Sequence, residues 1–119
     1  MLHTKGLSEG NYCYLPDMIT GLLTILLSGK NRNAYNGVNE KTHCTIAEMA
    51  QMVAAKIAAG RIKVVFDIPE TNKYGYAADT KLWLSSKKLE GLGWKPAHDL
   101  EDMYRRTIDY INEERGAWE

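Results

Sequence analysis

This sequence is poor in the features that usually announce a function. It has only two cysteines, Cys13 and Cys44, far apart and at no metal-ligand spacing. They make no disulfide framework, which points to a reducing, cytoplasmic setting. There is no excess of either charge: fifteen basic and fifteen acidic residues cancel. That argues against a nucleic-acid module, which concentrates basic residues on one face. No apolar run spans a bilayer. The longest, near Leu15 to Leu27, is broken by Asp17, Thr20 and Thr24 and falls short of the ~20 residues a membrane helix needs. Met1 to Gly10 is polar and has no apolar core of a signal peptide. The three histidines, His3, His43 and His98, are scattered, so no metal site is expected. No internal repeat or low-complexity tract occurs.

What is present suits one small folded unit over residues 1–119. Hydrophobic residues make up 45% of the chain, too many for disorder. A chain of this length buries roughly two thirds of its unfolded surface, enough for one modest core.

Helical and extended signals alternate. Met1 to Lys5 reads as a short strand and Gly6 to Gly10 as a turn; Asn11 to Tyr14 is β-prone. Pro16 to Leu27 reads as a helix, with proline in its first turn and Gly29 at its stop. Ala34 to Asn39 reads as a strand weakened at Gly37, although Asn36-Gly37 also fits a hairpin turn. Thr45 and Glu48 form a capping box opening a helix whose inner face is Ile46, Met49, Ala50, Val53 and Ile57; Gly60 ends it. Ile62 to Ile68 alternates as a strand. Pro69 to Ala78 is a loop, and Leu82 to Leu84 a short extended piece. Ser85 or Ser86 caps a short helix that stops near Gly91 and Gly93. Asp99 caps the last helix, with Leu100, Met103, Tyr104, Thr107, Ile108 and Ile111 inward and a fraying end from Glu113. Trp83 and Trp94 are expected in the core; Trp118 lies in the tail. The class is therefore α/β (α+β): about four helices and a few short strands.

The helix over Pro16–Leu27 is apolar nearly all round, so it needs cover on several sides. Either it is the central core element, or one flank is meant for a neighbouring domain or another copy of the chain. Only the second reading leaves a large exposed apolar patch.

Three segments, in order, resemble one known family. Asn11-Tyr12-Cys13-Tyr14-Leu15-Pro16-Asp17 resembles an aromatic-x-aromatic-x-x-Asp signature leading into a helix. Ala34-Tyr35-Asn36-Gly37-Val38-Asn39, followed by Cys44-Thr45-Ile46-Ala47-Glu48-Met49-Ala50, resembles a "YNv" strand, a loop and a capped helix. Ser85 to Trp94, then Lys95-Pro96 and a helix from Asp99, is similar to a closing "D-x-S-K-x-x-x-LGW-x-P" motif. Together they resemble the C-terminal part of the NAD-dependent epimerase/dehydratase family, the nucleotide-sugar enzymes of the extended short-chain dehydrogenase/reductases. The resemblance implies a C-terminal substrate-binding lobe without its Rossmann domain. It implies NAD and isomerase, lyase or oxidoreductase chemistry for a full-length parent. As partners it implies a nucleotide-diphosphate sugar and the missing Rossmann domain, or self-association through Pro16–Leu27.

The chain departs from that family at several points. Gly10 stands where an arginine often binds substrate phosphates. Pro69 is followed by Glu70, Thr71 and Asn72 before Lys73 arrives. Ser85 replaces an aspartate cap, and Gly37 a β-branched residue. The chemistry is absent too. A dinucleotide needs a glycine-rich turn between strand and helix; Gly91-Leu92-Gly93 follows a helix and reaches Pro96, not a third glycine. No tyrosine has lysine four residues on, so the Tyr-x-x-x-Lys acid–base pair is missing. Gly29-Lys30-Asn31 does not complete a phosphate loop. No catalytic residue and no cofactor-binding residue is therefore assigned. The recognition set is Tyr12, Tyr14, Lys73, Tyr74 and Tyr76. Tyrosines offer a sugar or base a flat apolar face with a hydroxyl at the edge, and Lys73 offers a phosphate a point charge. Two functions follow: the substrate lobe of an epimerase/dehydratase-like enzyme, inactive alone, or a non-catalytic binding or interaction module made from that lobe.

Overall fold

A computed structural model describes residues 1–116; Trp118 lies outside them. Among the described residues there are four helices and one two-stranded sheet. Strand β1 (Glu9–Gly10) pairs antiparallel with β2 (Cys44–Thr45), Glu9 opposite Thr45 and Gly10 opposite Cys44. The other edge of β1 takes residues 80–84 in parallel, through Glu9 N–H to Thr80 O (2.9 Å) and Leu82 N–H to Glu9 O (3.1 Å). The Asn11 side chain extends this ribbon by one rung. Its amide donates to Leu84 O (2.8 Å) and its carbonyl accepts from Leu84 N–H (2.9 Å).

Side-chain caps open the helices that begin at Ile46 and Leu100, whereas the expected serine cap of the short third helix is not made: Ser86 stands at its N-cap position without a side-chain cap bond. Helix α1 (Leu15–Ser28) carries proline in its first turn and ends at Gly29, where a Cβ would collide with the Ile25 carbonyl. Helix α2 (Ile46–Met52) opens on the full capping box. Glu48 N–H donates to Thr45 Oγ1 (3.1 Å), and Thr45 N–H donates to Glu48 Oε2 (2.7 Å). The next turn, Val53–Ile57, widens to π-helical spacing before the chain leaves through Ala59 and Gly60 at positive φ. Helix α3 (Lys87–Glu90) is one turn long, and α4 (Leu100–Gly116) starts as Asp99 Oδ1 accepts from Asp102 N–H (2.9 Å).

The core is small and strongly polar in part. Val38, Ala54, Leu89, Trp94 and Met103 are its buried apolar residues; Asp17, Asn39, Thr42 and Ser86 are buried beside them. Every buried side-chain N or O among the described residues has a partner, as burial requires. The radius of gyration is 17.4 Å, whereas a compact domain of this length has roughly 13–14 Å. Much apolar surface is accordingly left outside.

Several sequence expectations change here. Ile62–Ile68 is not a continuous strand. It makes one parallel bridge, Phe66 to Leu2, and Ile62, Val65, Phe66 and Ile68 are exposed. Met1–Lys5 contributes only that bridge, through Leu2 N–H to Val65 O (2.7 Å) and Asp67 N–H to Leu2 O (2.8 Å). A ladder needs a partner along its whole length, and neither segment has one. Ala34–Asn39 is extended but unladdered; Gly37 lies under the Met18 thioether, which occupies the place of a Cβ. The end of the expected Gly6–Gly10 turn is instead β1. Trp83 is 62% exposed, resting on His43 with ring centroids 4.1 Å apart. On α4, Met103 is buried but Thr107, Ile108 and Ile111 are exposed, because the helix runs past the body. No residue of α2 is fully buried; the widened turn after it buries Ala54 instead. Helix α1 is not a central element: Asp17 and Gly21 are its only buried residues.

Candidate functional site

The segments that carry the family resemblance meet around Asp17. Its carboxylate accepts from the backbone N–H of Ala97 and of His98 through Oδ2, at 3.0 Å each, and its Oδ1 lies 2.8 Å from His98 Nδ1. Its main-chain carbonyl accepts the Trp94 indole N–H at 2.9 Å. Trp94 fits because Gly21 has no side chain; a Cβ there would come within 3.2 Å of the indole nitrogen. Asn39 closes the third side. Its amide donates to His98 O (2.9 Å), its Oδ1 accepts from Lys41 N–H (3.0 Å), and its N–H donates to Tyr12 O (3.1 Å). Thr42 Oγ1 accepts from Tyr12 N–H at 2.8 Å and lies 2.8 Å from the Tyr12 carbonyl. This knot fixes the segment from Tyr12 to Pro16.

That segment forms one wall of a cleft of about 580 Å³. Tyr12 and Tyr14 lie on it, facing Met49 of α2 and Met103, Tyr104 and Tyr110 of α4. Tyr14 also sits edge-on to His98, centroids 4.9 Å apart. The lining has no cation, so it suits a flat, weakly polar group rather than a phosphate. Burial pushes the Tyr12 phenol up, helped by nearby Cys44 and Tyr104. Burial likewise raises the thiols of Cys13, beside Asp17, and Cys44, beside Glu48. Both cysteines are free. A protonated thiol is a poor nucleophile, so neither supplies thiolate chemistry at neutral pH.

Lys73, Tyr74 and Tyr76 stand on a different face. The loop is closed on itself by Asn72, whose Oδ1 accepts from Tyr76 N–H (2.9 Å) while its amide donates to Tyr76 O (2.8 Å). The Lys73 ammonium lies 4.9 Å over the Tyr74 ring, and Tyr74 and Tyr76 are 6.0 Å apart. His3 packs on Tyr74 at 4.4 Å. Tyr76, His3, Thr4, Lys5 and Asp79 border a polar hollow of about 420 Å³. The cleft and the hollow share no lining residue, and of Lys73, Tyr74 and Tyr76 only Tyr76 lines the hollow. His3 and Lys5 escaped the sequence reading because only the Leu2–Phe66 pairing brings the N-terminal residues to this loop.

The described residues do not fit a dinucleotide. A pyrophosphate seats on free amides at a helix N-terminus. Here those positions are acidic or already bonded. The first turns of α1, α2 and α4 carry Asp17, Glu48, and Glu101 with Asp102. On α2, Ile46 N–H donates to Ser8 O and Ala47 N–H to Gly6 O, both at 3.0 Å. Among the described residues no group of three or more metal-ligating side chains is found. Among the described residues no helix is long and apolar enough to cross a membrane.

No family model matches the chain. Curated relatives do. It is 27% identical over 120 residues to dTDP-D-glucose 4,6-dehydratase of Bos taurus and to that of Homo sapiens, and 27% over 124 residues to that of Mus musculus. Each alignment covers 98% of this chain and 33% of the relative. Thus the chain spans about a third of the length of the curated relatives it matches. Two solved structures share the fold. WbmF of Bordetella bronchiseptica, in complex with NADH, aligns with a TM-score of 0.73 at 19% identity, over 98% of this chain and 33% of that one. RMD of Pseudomonas aeruginosa, complexed with NADPH, aligns with a TM-score of 0.65 at 20% identity, over 84% of this chain and 31% of that one. These matches bear out the resemblance to the NAD-dependent epimerase/dehydratase family, and the small mixed fold is that of a segment of an extended short-chain dehydrogenase/reductase.

Proposed function

We propose that this chain, built as a segment of an extended short-chain dehydrogenase/reductase, is the substrate-binding portion of a nucleotide-sugar epimerase- or dehydratase-like enzyme. The ligand is a nucleotide-diphosphate sugar, of the kind named for the dehydratase relatives. Tyr12 and Tyr14 offer flat faces to the base or sugar in the apolar cleft. Lys73, Tyr74 and Tyr76 offer a cation and hydroxyls to the phosphates and their sugar. NAD and the Tyr-x-x-x-Lys pair come from polypeptide outside these residues, so the chain alone does not turn over substrate. Two free, protonated thiols suit a reducing cytoplasmic setting.

The observation that carries this reading is the Asp17 knot. Residues from all three family-like segments (Asp17, Asn39 and Trp94) close on one another and hold the Tyr12–Pro16 wall in place. The test is a titration of the chain with nucleotide-diphosphate sugars, and separately with NAD, following backbone amide shifts. Shifts at Tyr12–Tyr14 or Lys73–Tyr76 with the sugar nucleotide, and none with NAD, support it. Silence to both sinks it, and so does NAD-linked turnover by the chain alone.

A second reading is a non-catalytic binding or interaction module made from the same lobe. The exposed apolar face of α1 favours it. It predicts partner binding without any response to a sugar nucleotide.

A further inference from the structure

Asn36-Gly37 fits a hairpin turn by sequence, yet no turn forms there. The dipeptide lies in the unladdered stretch 34–38. Among the described residues no acceptor holds an N–H of that stretch; the first bonded amide is that of Asn39, on Tyr12 O at 3.1 Å. Asn36 is exposed, and its side chain makes one bond, donating to Ser85 O at 3.2 Å. Gly37 can carry no side chain unless the Met18 thioether moves out of the place of its Cβ.

We infer that Asn36 is a site of self-modification, losing its side-chain amide to attack by the Gly37 nitrogen. Three observations choose it. First, of the seven asparagines only Asn36 precedes glycine. A Cβ on the following residue restricts the backbone and crowds the approach of its nitrogen; glycine has none. Second, that nitrogen is unbonded, so no ladder holds it away from the side chain. Third, the amides of Asn11, Asn39 and Asn72 are clamped at both ends, nitrogen donating and oxygen accepting. Asn36 is held at one end only.

Hydroxide takes the Gly37 amide proton. The nitrogen bonds to Asn36 Cγ, the bond from Cγ to the side-chain nitrogen breaks, and that nitrogen leaves as ammonia with a proton returned from water. Water then opens the five-membered imide. Cleavage of the new bond leaves aspartate. Cleavage of the old peptide bond leaves isoaspartate, whose main chain runs through Cγ and is one carbon longer. Water is the sole co-reactant, and nothing is oxidised or reduced. The longer link falls just before Gly37, pressed on Met18, and before buried Val38 and Asn39. It displaces Asn39 from its bonds to Tyr12 O and His98 O, so the modified chain loosens the Asp17 knot. The glycine that fits under Met18 is thus the one that opens its neighbour to attack. The chemistry makes no use of a ligand, so it stands or falls apart from the proposed function.

The test is to age the intact chain at about pH 8 and about 37 °C, where asparagine is thermolabile, and to weigh its tryptic peptides. The peptide from Asn33 to Lys41 holds Asn33, Asn36 and Asn39 together, so fragment ions compare them within one molecule. The expected result is a gain of about 1 Da at Asn36 alone, an amide becoming an acid, with isoaspartate the larger product. A stretch without backbone bonds opens at little cost, so the folded rate should lie within about 10-fold of that in urea. Asn36→Gln, which would need a six-membered ring, stays unmodified. The modified fraction, collected by ion exchange, should unfold at a urea midpoint lower by about 0.5 M or more. Asn36→Asp adds the charge without lengthening the chain and should lower it less. An Asn36 that keeps its amide in the folded chain while losing it in urea overturns the inference. So does earlier loss at Asn33 or Asn39, or a modified chain as stable as its parent.

Discussion

Asp17 holds the peptide of His98 and its ring at once, the backbone N–H at 3.0 Å from one carboxylate oxygen and Nδ1 at 2.8 Å from the other. Residues 81 apart in sequence are thereby fastened, and the same oxygen takes Ala97 N–H. The carboxylate is 7% exposed, so water does not replace these bonds when it is removed.

Asp17→Ala should therefore destabilise the chain by about 2–4 kcal/mol, since it strands two amides that bonded to a charged group. Urea unfolding followed through tryptophan fluorescence measures this. A loss under ~0.5 kcal/mol, the usual surface effect, means the knot does not hold the fold.

Gly37→Val should cost about 1–3 kcal/mol by overpacking. The new side chain enters the space of the Met18 thioether. Combining it with Met18→Ala should return part of the loss, because the two share one volume. A double-mutant cycle with no coupling rejects this packing account.

The α2 cap should make stability fall in acid. Bonds from Thr45 N–H and its hydroxyl hold the Glu48 carboxyl below its ordinary 4.5. A depressed carboxylate stabilises the fold above its unfolded pKa, and that contribution disappears as pH drops through the folded one. Glu40, held down by Ser85 and Ser86, acts in the same sense. Thr45→Ala should remove about 1 kcal/mol at neutral pH and flatten the slope of stability below pH 4.5. An unchanged slope contradicts it.

Cys13 and Cys44 should react slowly with a disulfide reagent at pH 7. Burial raises both thiols above their ordinary 9.0, and the thiolate is the reactive form. The rate should climb steeply only at higher pH in the folded chain and become fast in urea. Rapid labelling of folded protein at neutral pH counts against it.

The caps and stops of the helices are local chemistry, and they were legible. Pro16 with Gly29, Thr45 with Glu48, and Asp99 each mark an element that the structure confirms. Motif order was legible too, because each segment carries its signature within a few residues. The strands were not. Ile62–Ile68 alternates correctly, but a strand is made by its neighbour, and only Leu2 bridges to it. Trp83 and Trp94 have equal hydrophobicity. Trp94 is 3% exposed because Gly21 leaves room and the Asp17 carbonyl takes its N–H. Trp83 finds only His43.

The candidate site divides along the same line. That tyrosines and Lys73 are available could be read from the chain. That they form two groups, and that His3 and Lys5 join one of them, could not. The sequence by itself settled where helices begin and end and which chemistry is missing, since those depend on residues within a turn of each other. Tertiary structure alone decided which face of α1 is buried. Composition says the helix needs cover; only the hydrogen bonds of Asp17, made far along the chain, turn its polar side inward and leave the leucines outside.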